Sequence, residues 1–273
     1  MRRIICVSDW VQDELALEEF RTAVTGFAKN PRDVRLSSVA STSSTMHTGF
    51  LMAQLAYTQE RLGIPNETLI FQNTDPRIPE QGSNTAAHGS HFVIAQLASG
   101  LLVCGPNAGY NFSFLKKSIV AAFTYTHFDT PTVLRSRDVF SRMAAHLADY
   151  MEQELELDEL HIGTISDEPE GSYVLHVDPF HNIITSITQE QSLEKHQFGN
   201  YVRISLKNEV HEVRLVPHRF ASVPGDLTLY PGSKGHLDNP YMEIGVWHDT
   251  TQTHRSPPTP FEHARPGDEL SLQ

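Results

Sequence analysis

The chain has little cysteine, little positive charge and no long apolar run. Two cysteines, Cys6 and Cys104, in 273 residues cannot build the disulfide framework of a small secreted domain. Both fall in strand-like apolar runs, and we read them as core thiols in a reducing, cytoplasmic compartment. No stretch approaches the ~18 apolar residues of a membrane-spanning helix, so a membrane protein is not expected. The opening "MRRIICVSDW" has five apolar residues before Ser8 and Asp9, too few for a signal-peptide core, and reads as a first strand. Lys and Arg total 21 against 33 Asp and Glu, a net charge of −12. Such a surface repels nucleic-acid phosphates on average, and the expected partner is a small molecule.

What is present is the composition of a folded, water-soluble chain, 39% hydrophobic and 20% charged, long enough for two domains each with its own core. Residues 1–158 alternate strand-like runs ("RIICV", "DVRLSSV", "TLIFQN", "HFVIAQLA", "LLVCG") with helix-like ones marked by Phe20, Val24 and Phe27, by "TGFLMAQLAYTQERLG", and by a helix over 139–150. That alternation predicts an α/β N-terminal domain with a central mostly parallel sheet, its sites in loops at the strand ends. From residue 168 onward "SYVLHVD", "NIITSI", "YVRISL", "HEVRLV", "YMEIGVW" and "DELSLQ" predict an all-β, barrel-like C-terminal domain over 168–273. Residues 159–167 form the expected linker, at the end of the acidic stretch "MEQELELDEL".

Polar side chains recur where these strands end. Asp9 follows "ICVS", Asp75 follows "IFQNT", Asn107 follows "VCGP" and Asp178 follows "YVLHV". Any one of them alone reads as a turn former, but four in comparable positions point to a site. In "TPTVLRSRDVFSRMAAHLADY" two arginines precede a helix. Ser136 and Asp138 are the better N-cap candidates there, which leaves Arg135 to a site, while Arg137 and Asp138 suit a structural pair.

In order and spacing these segments resemble the S-adenosyl-L-methionine (SAM) dependent family of hydroxide adenosyltransferases (SAM hydrolases), fluorinases and chlorinases. The resemblance is carried by "VSDW", "TDPRIPEQGS", "CGPNAG", "LRSRDVFSRMAAHLA", "VDPFHNIITSI", "GSKG" and "YMEIGV". It implies a homotrimer that takes a nucleoside between one subunit's first domain and its neighbour's second, an arrangement cyclic symmetry allows. By the same resemblance Asp9 accepts the two ribose hydroxyls, and Asn107 lies in the turn after the fifth strand run. Ser136 lies beside the reacting carbon. Asp178 and Ser233 hold the methionine amine and carboxylate, with Lys234 adding charge. Phe180 and Phe220 flank the adenine, although a phenylalanine is more often core. Asn182 and the main chain at Val246 read the adenine edge.

The reaction implied is in-line displacement at ribose C5′ by water, giving adenosine and L-methionine with SAM as substrate and no metal. Asp75 favours hydrolase over halogenase, which carries a tyrosine there. The family's arginine falls on Gly82 and its histidine on Arg135, so two of the three water-holding groups are replaced. The second-strand Asp-x-x-His has become "SVAST", and Ser186 stands for an asparagine. Arg135 or Arg77 then takes the lost arginine's place, with Asp75 accepting the proton, because arginine is no base at neutral pH. The competing readings are a SAM- or adenosine-binding protein with little or no chemistry, a halogenase, and more remotely a metal hydrolase built on His88 with His91 or His176 with His181.

Overall fold

A computed structural model describes residues 1–76, 89–126, 132, 134–247, 260–261 and 263–273. The chain divides into two compact units, Met1–Glu168 and Pro169–Gln273, each described by itself.

The first unit begins with β1 (Arg3–Ser8), apolar on both faces as a central strand must be. Helix α1 (Glu14–Phe27) follows, capped by Asp13, whose side chain accepts the Leu15 and Ala16 N–H groups. Then come β2 (Leu36–Ala40), α2 (Thr45–Leu62), β3 (Thr68–Asn73), β4 (Phe92–Leu97), β5 (Leu102–Pro106), β6 (Ile119–Tyr125), α3 (Ser141–Ala148) and β7 (Asp158–Glu159). The sheet order is β2-β1-β3-β5-β4-β6-β7. β1, β2, β3 and β5 run parallel, while β4 is antiparallel to both neighbours and β7 to β6. The central sheet is therefore mostly parallel, as its composition predicts. β6 has no counterpart in the sequence reading, because Ala121 and Ala122 weaken its apolar signature. β7 and the turn at Ile162–Thr164 also belong to this unit, β7 by pairing with β6.

Alternation along the strands sends Ile4, Cys6, Leu69, Phe71, Leu102 and Cys104 to one face, where Phe20 and Val24 of α1 and Met143 and Leu147 of α3 cover them. Phe20 stacks on Phe71 at 4.8 Å and Phe92 meets Phe140 at 4.8 Å. Both cysteines are fully buried in this core, and burial raises their thiol pKa values well above the ordinary cysteine range. α2 packs on β1 and β3 as well. Among the described residues no helix is long and apolar enough to cross a membrane.

The start of α3 differs from expectation. A single π turn over Ser136–Phe140 precedes the α-helix, and neither Ser136 nor Asp138 caps it. The backbone already turns at Leu134, whose carbonyl accepts the Arg137 and Asp138 N–H groups at 3.2 and 3.0 Å. Thr132 takes the capping part instead, its hydroxyl accepting the Leu134 N–H at 3.0 Å and donating to Asp138. The Arg137–Asp138 pair forms, at 2.6 Å. Such π turns are rare and frequent at functional sites.

The second unit is a closed barrel of β8 (Ser172–Val177), β9 (Ile183–Thr188), β10 (Tyr201–Leu206), β11 (Glu209–Leu215), β12 (Leu227–His236), β13 (Asn239–Val246) and β14 (Glu269–Leu272), in the order β10-β11-β12-β13-β9-β8-β14. A short helix α4 (Gln189–Leu193), closed by a Thr188/Gln191 capping box, interrupts it. Val202, Ile204, Leu206, Val213, Leu215, Leu229, Met242 and Ile244 fill the interior, and β14 pairing with β10 and β8 removes the open edges. β12 has no counterpart in the sequence reading because Pro231 and Gly232 interrupt it; the ladder shifts register between Pro231 and Gly235.

One glycine is required where β5 passes β3. Gly105 has φ +146, and a Cβ there would lie 2.1 Å from the Gln72 carbonyl oxygen. Gly105→Ala is therefore expected to cost about 2–4 kcal/mol of strain and overpacking, read as a lower denaturation midpoint in chemical unfolding with an unchanged slope.

Candidate functional site

In the first unit the parallel strands β1, β3 and β5 end on one edge, and the residues that follow them are Asp9, Asp75 and Asn107. Asp75 is the centre of the edge. Its Oδ2 accepts the Ser90 N–H at 2.9 Å and Arg135 Nη2 at 3.2 Å, and its Oδ1 accepts the Ser90 hydroxyl at 3.3 Å. Arg135 also donates through Nη1 to the Ser90 carbonyl at 3.3 Å, and its guanidinium lies 5.2 Å from the centre of the Phe140 ring. Both side chains are largely covered, with 16% of Arg135 and 11% of Asp75 exposed. A pair this shielded is held more firmly than a surface pair, and removing one partner leaves a poorly hydrated charge.

Gly89 lets the chain pass this pair: its φ is +67, and a Cβ would come 1.9 Å from Arg135 Nη2 and 2.7 Å from Asp75 Oδ2. The sequence singles out neither Gly89 nor Ser90, since the part they play depends on contacts with residues far along the chain; Ser90 meets Asp75 and Arg135 from 15 and 45 positions away. Arg77, the alternative partner for Asp75, and the Gly82 and His88 positions lie outside the described residues.

Asp9 stands at the end of β1, next to this pair. Its carboxyl pKa is raised, chiefly by burial, with the Asp75 charge adding to the shift, while the Ser8 hydroxyl at 3.2 Å and nearby backbone N–H groups oppose it. The Asn107 side chain donates to the Thr164 carbonyl at 3.5 Å, and its backbone N–H donates to the His91 carbonyl at 2.8 Å. Ser136 is half-buried in the π turn, one residue after Arg135. The fold thus gathers Asp9, Asp75, Arg135 and, at their flanks, Asn107 and Ser136 around one sheet edge.

In the second unit Asp178 organises the β8–β9 turn. Its Oδ1 accepts the Phe180 and Asn182 N–H groups, both at 2.8 Å, and its Oδ2 accepts Asn182 Nδ2 at 2.7 Å. That last bond fixes the Asn182 amide, so its Oδ1 is an acceptor; it is buried and has no hydrogen-bond partner. Phe180 and Phe220 are 62% and 67% exposed in the chain, so neither is a core residue. Phe220 meets Trp247 edge-on at 5.8 Å. The Ser233 N–H donates to Glu243 at 3.0 Å. The pKa of half-buried His176 is lowered, first by burial and then by Lys234, against Asp178. Asp178, His176 and Lys234 therefore share one neighbourhood. The Val246 carbonyl is already engaged, accepting Arg219 Nη2 at 3.1 Å. Arg219, Glu243 and the buried Tyr230 are not anticipated by the sequence; Tyr230 and Asn182 both lie over Gly245.

His176 and His181 lie on either side of the Asp178 turn, with His181 at φ +62. Among the described residues no group of three or more His, Cys, Asp or Glu side chains could hold a metal ion.

The raised pKa of Asp9 gives a pH prediction. Because burial penalises its charged form, its folded pKa exceeds the unfolded one, so the contribution to stability is most favourable below the unfolded value and declines as pH rises through the folded one. Asp9→Asn should therefore raise the melting temperature at pH 7, and the gain should disappear below about pH 3.8, the ordinary value for aspartate. Thermal denaturation across pH 3–8 measures it.

Residues 172–246 match the family model described as the SAM hydroxide adenosyltransferase C-terminal domain. No curated protein matches the chain. Two solved structures share its fold over essentially the full length: an uncharacterized conserved protein from Thermotoga maritima, with TM-score 0.70, 16% identity, 99% of this chain and 100% of that chain covered, and a conserved hypothetical protein from Thermus thermophilus, with TM-score 0.65, 17% identity and 100% of both chains covered. At these identities the likeness concerns the fold. The family match is confined to the barrel of the second unit, which is similar over residues 172–246 to the SAM hydroxide adenosyltransferase C-terminal domain.

Proposed function

We propose that the protein hydrolyses S-adenosyl-L-methionine to adenosine and L-methionine with a rebuilt water-holding group. The observation that supports this most directly is the shielded Asp75–Arg135 pair at the sheet edge beside Asp9, in a chain whose barrel matches the SAM hydroxide adenosyltransferase domain. Water attacks C5′ in line with the sulfonium. The C5′–S bond breaks with its electron pair passing to sulfur, so methionine leaves as a neutral thioether and needs no general acid. The water proton passes to Asp75, the base available in this group, and then to solvent. Arg135 stays protonated and holds the carboxylate in place, so most of the rate would come from positioning.

Asp9 is assigned to the ribose hydroxyls, with Asn107 and Ser136 at the flanks of the reacting carbon. Asp178, Ser233 and Lys234 are assigned to the methionine end, and Phe180, Phe220, Asn182 and the main chain at Val246 to the adenine. The Arg219 bond to the Val246 carbonyl means adenine must share or displace that donor. We further propose a homotrimer with sites shared between neighbours, working in the cytoplasm, where Cys6 and Cys104 stay reduced.

A second reading, a SAM- or adenosine-binding protein without turnover, is favoured by one feature. Ser90 and Arg135 already occupy both Asp75 oxygens, which leaves fewer lone pairs for a water.

Purified protein incubated with SAM should release adenosine and methionine in equal amounts, followed by chromatography, and the isosteric Asp75→Asn should lower the rate by about a hundredfold or more. No product, together with a higher melting temperature in the presence of SAM, would establish the binding reading. Equal rates in parent and variant would remove Asp75 from the mechanism.

A further inference from the structure

Thr74, the residue between β3 and Asp75, has all three of its polar groups held by buried side chains. Its N–H donates to Gln72 Oε1 at 3.0 Å, its carbonyl accepts Asn111 Nδ2 at 2.8 Å, and its hydroxyl accepts the Thr48 hydroxyl at 2.8 Å, which is in turn 2.6 Å from that of Ser41. The same two amides grip the end of β5. The Pro106 carbonyl accepts Gln72 Nε2 at 2.6 Å and Asn111 Nδ2 at 3.1 Å, and Asn111 Nδ2 also reaches Gln72 Oε1 at 3.1 Å. Gln72, Thr74, Asn111 and Thr48 are fully buried, and Gly105 is the residue whose missing side chain lets Gln72 lie this close to β5.

Amides in such a place add little net stability over apolar side chains of the same shape, but they demand one geometry. Here the geometry they demand fixes Thr74 and Pro106, the residues immediately before Asp75 and Asn107. The Asn111 Oδ1 atom is buried with no hydrogen-bond partner, so the side chain is oriented by what its NH2 group holds.

We infer that Asn111, with Gln72 and Thr48, is a positioning residue that sets Asp75 against Arg135 by fixing the ends of β3 and β5 relative to each other. It touches no reacting atom. This inference rests on the reading of Asp75 as the group that orients the nucleophile, and its test separates the two.

Asn111→Ala should lower kcat for SAM hydrolysis about tenfold with KM within about twofold, because the ligand contacts remain and the water-orienting carboxylate shifts. Thr68→Val serves as the control. Thr68 is equally buried at the other end of β3 and donates to Gln59 at 3.2 Å and to the Ile64 carbonyl at 3.1 Å, so it should lose stability with kcat within about twofold. In a denaturation cycle that needs no activity, Asn111→Ala and Asp75→Asn should depart from additivity by about fivefold or more in the folding equilibrium constant, whereas Thr68→Val and Asp75→Asn should add within about twofold. If Asn111→Ala fails to fold, the isosteric Thr48→Val carries the same cycle. An additive cycle, or a kcat that follows stability alike in Asn111→Ala and Thr68→Val, overturns the inference. Absence of turnover in the parent removes the hydrolase reading while the cycle still decides the positioning.

Discussion

The ion pair between Asp75 and Arg135 holds the first unit's candidate chemistry together. It joins the end of a central parallel strand to the start of the helix that follows β6, across 60 residues of sequence. The two charges are mostly shielded from water, so each requires the other, and the backbone at Gly89 and Ser90 lies against the pair with no room for a larger residue at Gly89. Asp9 adds a second carboxylate near the first. Among the described residues named at this edge, Asp9 and Asp75 are acidic and Arg135 is basic, a balance in keeping with the sulfonium substrate proposed above.

A hydrogen-bonded scaffold beneath the edge supports this pair. Parallel strands buried on both faces are usually apolar throughout, and β3 departs from that at its C-terminal end, where Gln72 and, just past the strand, Thr74 meet Asn111 from the turn after β5. The core below, built on Phe20, Phe71, Phe92 and Phe140, supplies stability, and the amides above it supply direction. The barrel unit follows the same division: its interior cluster is apolar, while the polar groups with functional assignments lie outside that cluster and in the β8–β9 turn.

Much of this is legible in the sequence because period and punctuation are local. Strands such as "TLIFQN" and "YVRISL" match β3 and β10 residue for residue, and the strand-end placement of Asp9, Asp75, Asn107 and Asp178 follows from it. Arg135 is no cap, as its sequence context implies, but the residue that caps the turn is Thr132 rather than Ser136 or Asp138. What the sequence hides is set by long-range packing. Ser90 reaches Asp75 from the start of an antiparallel strand, Asn111 reaches Thr74 from 37 residues away, and Arg219 covers the Val246 carbonyl. A buried glutamine in an otherwise apolar strand is the available signal, since such a group must find partners. β6 and β12 are hidden for the opposite reason, small residues and a proline masking a strand that tertiary pairing enforces.

If water held at Asp75 becomes the 5′-hydroxyl of the product, the oxygen can be followed. Turnover of SAM in ¹⁸O-labelled water, with the adenosine and methionine analysed by mass spectrometry, should place one ¹⁸O atom in adenosine, at the 5′ position, and none in methionine. Adenosine without the label, or label in methionine instead, would refute attack by water at C5′.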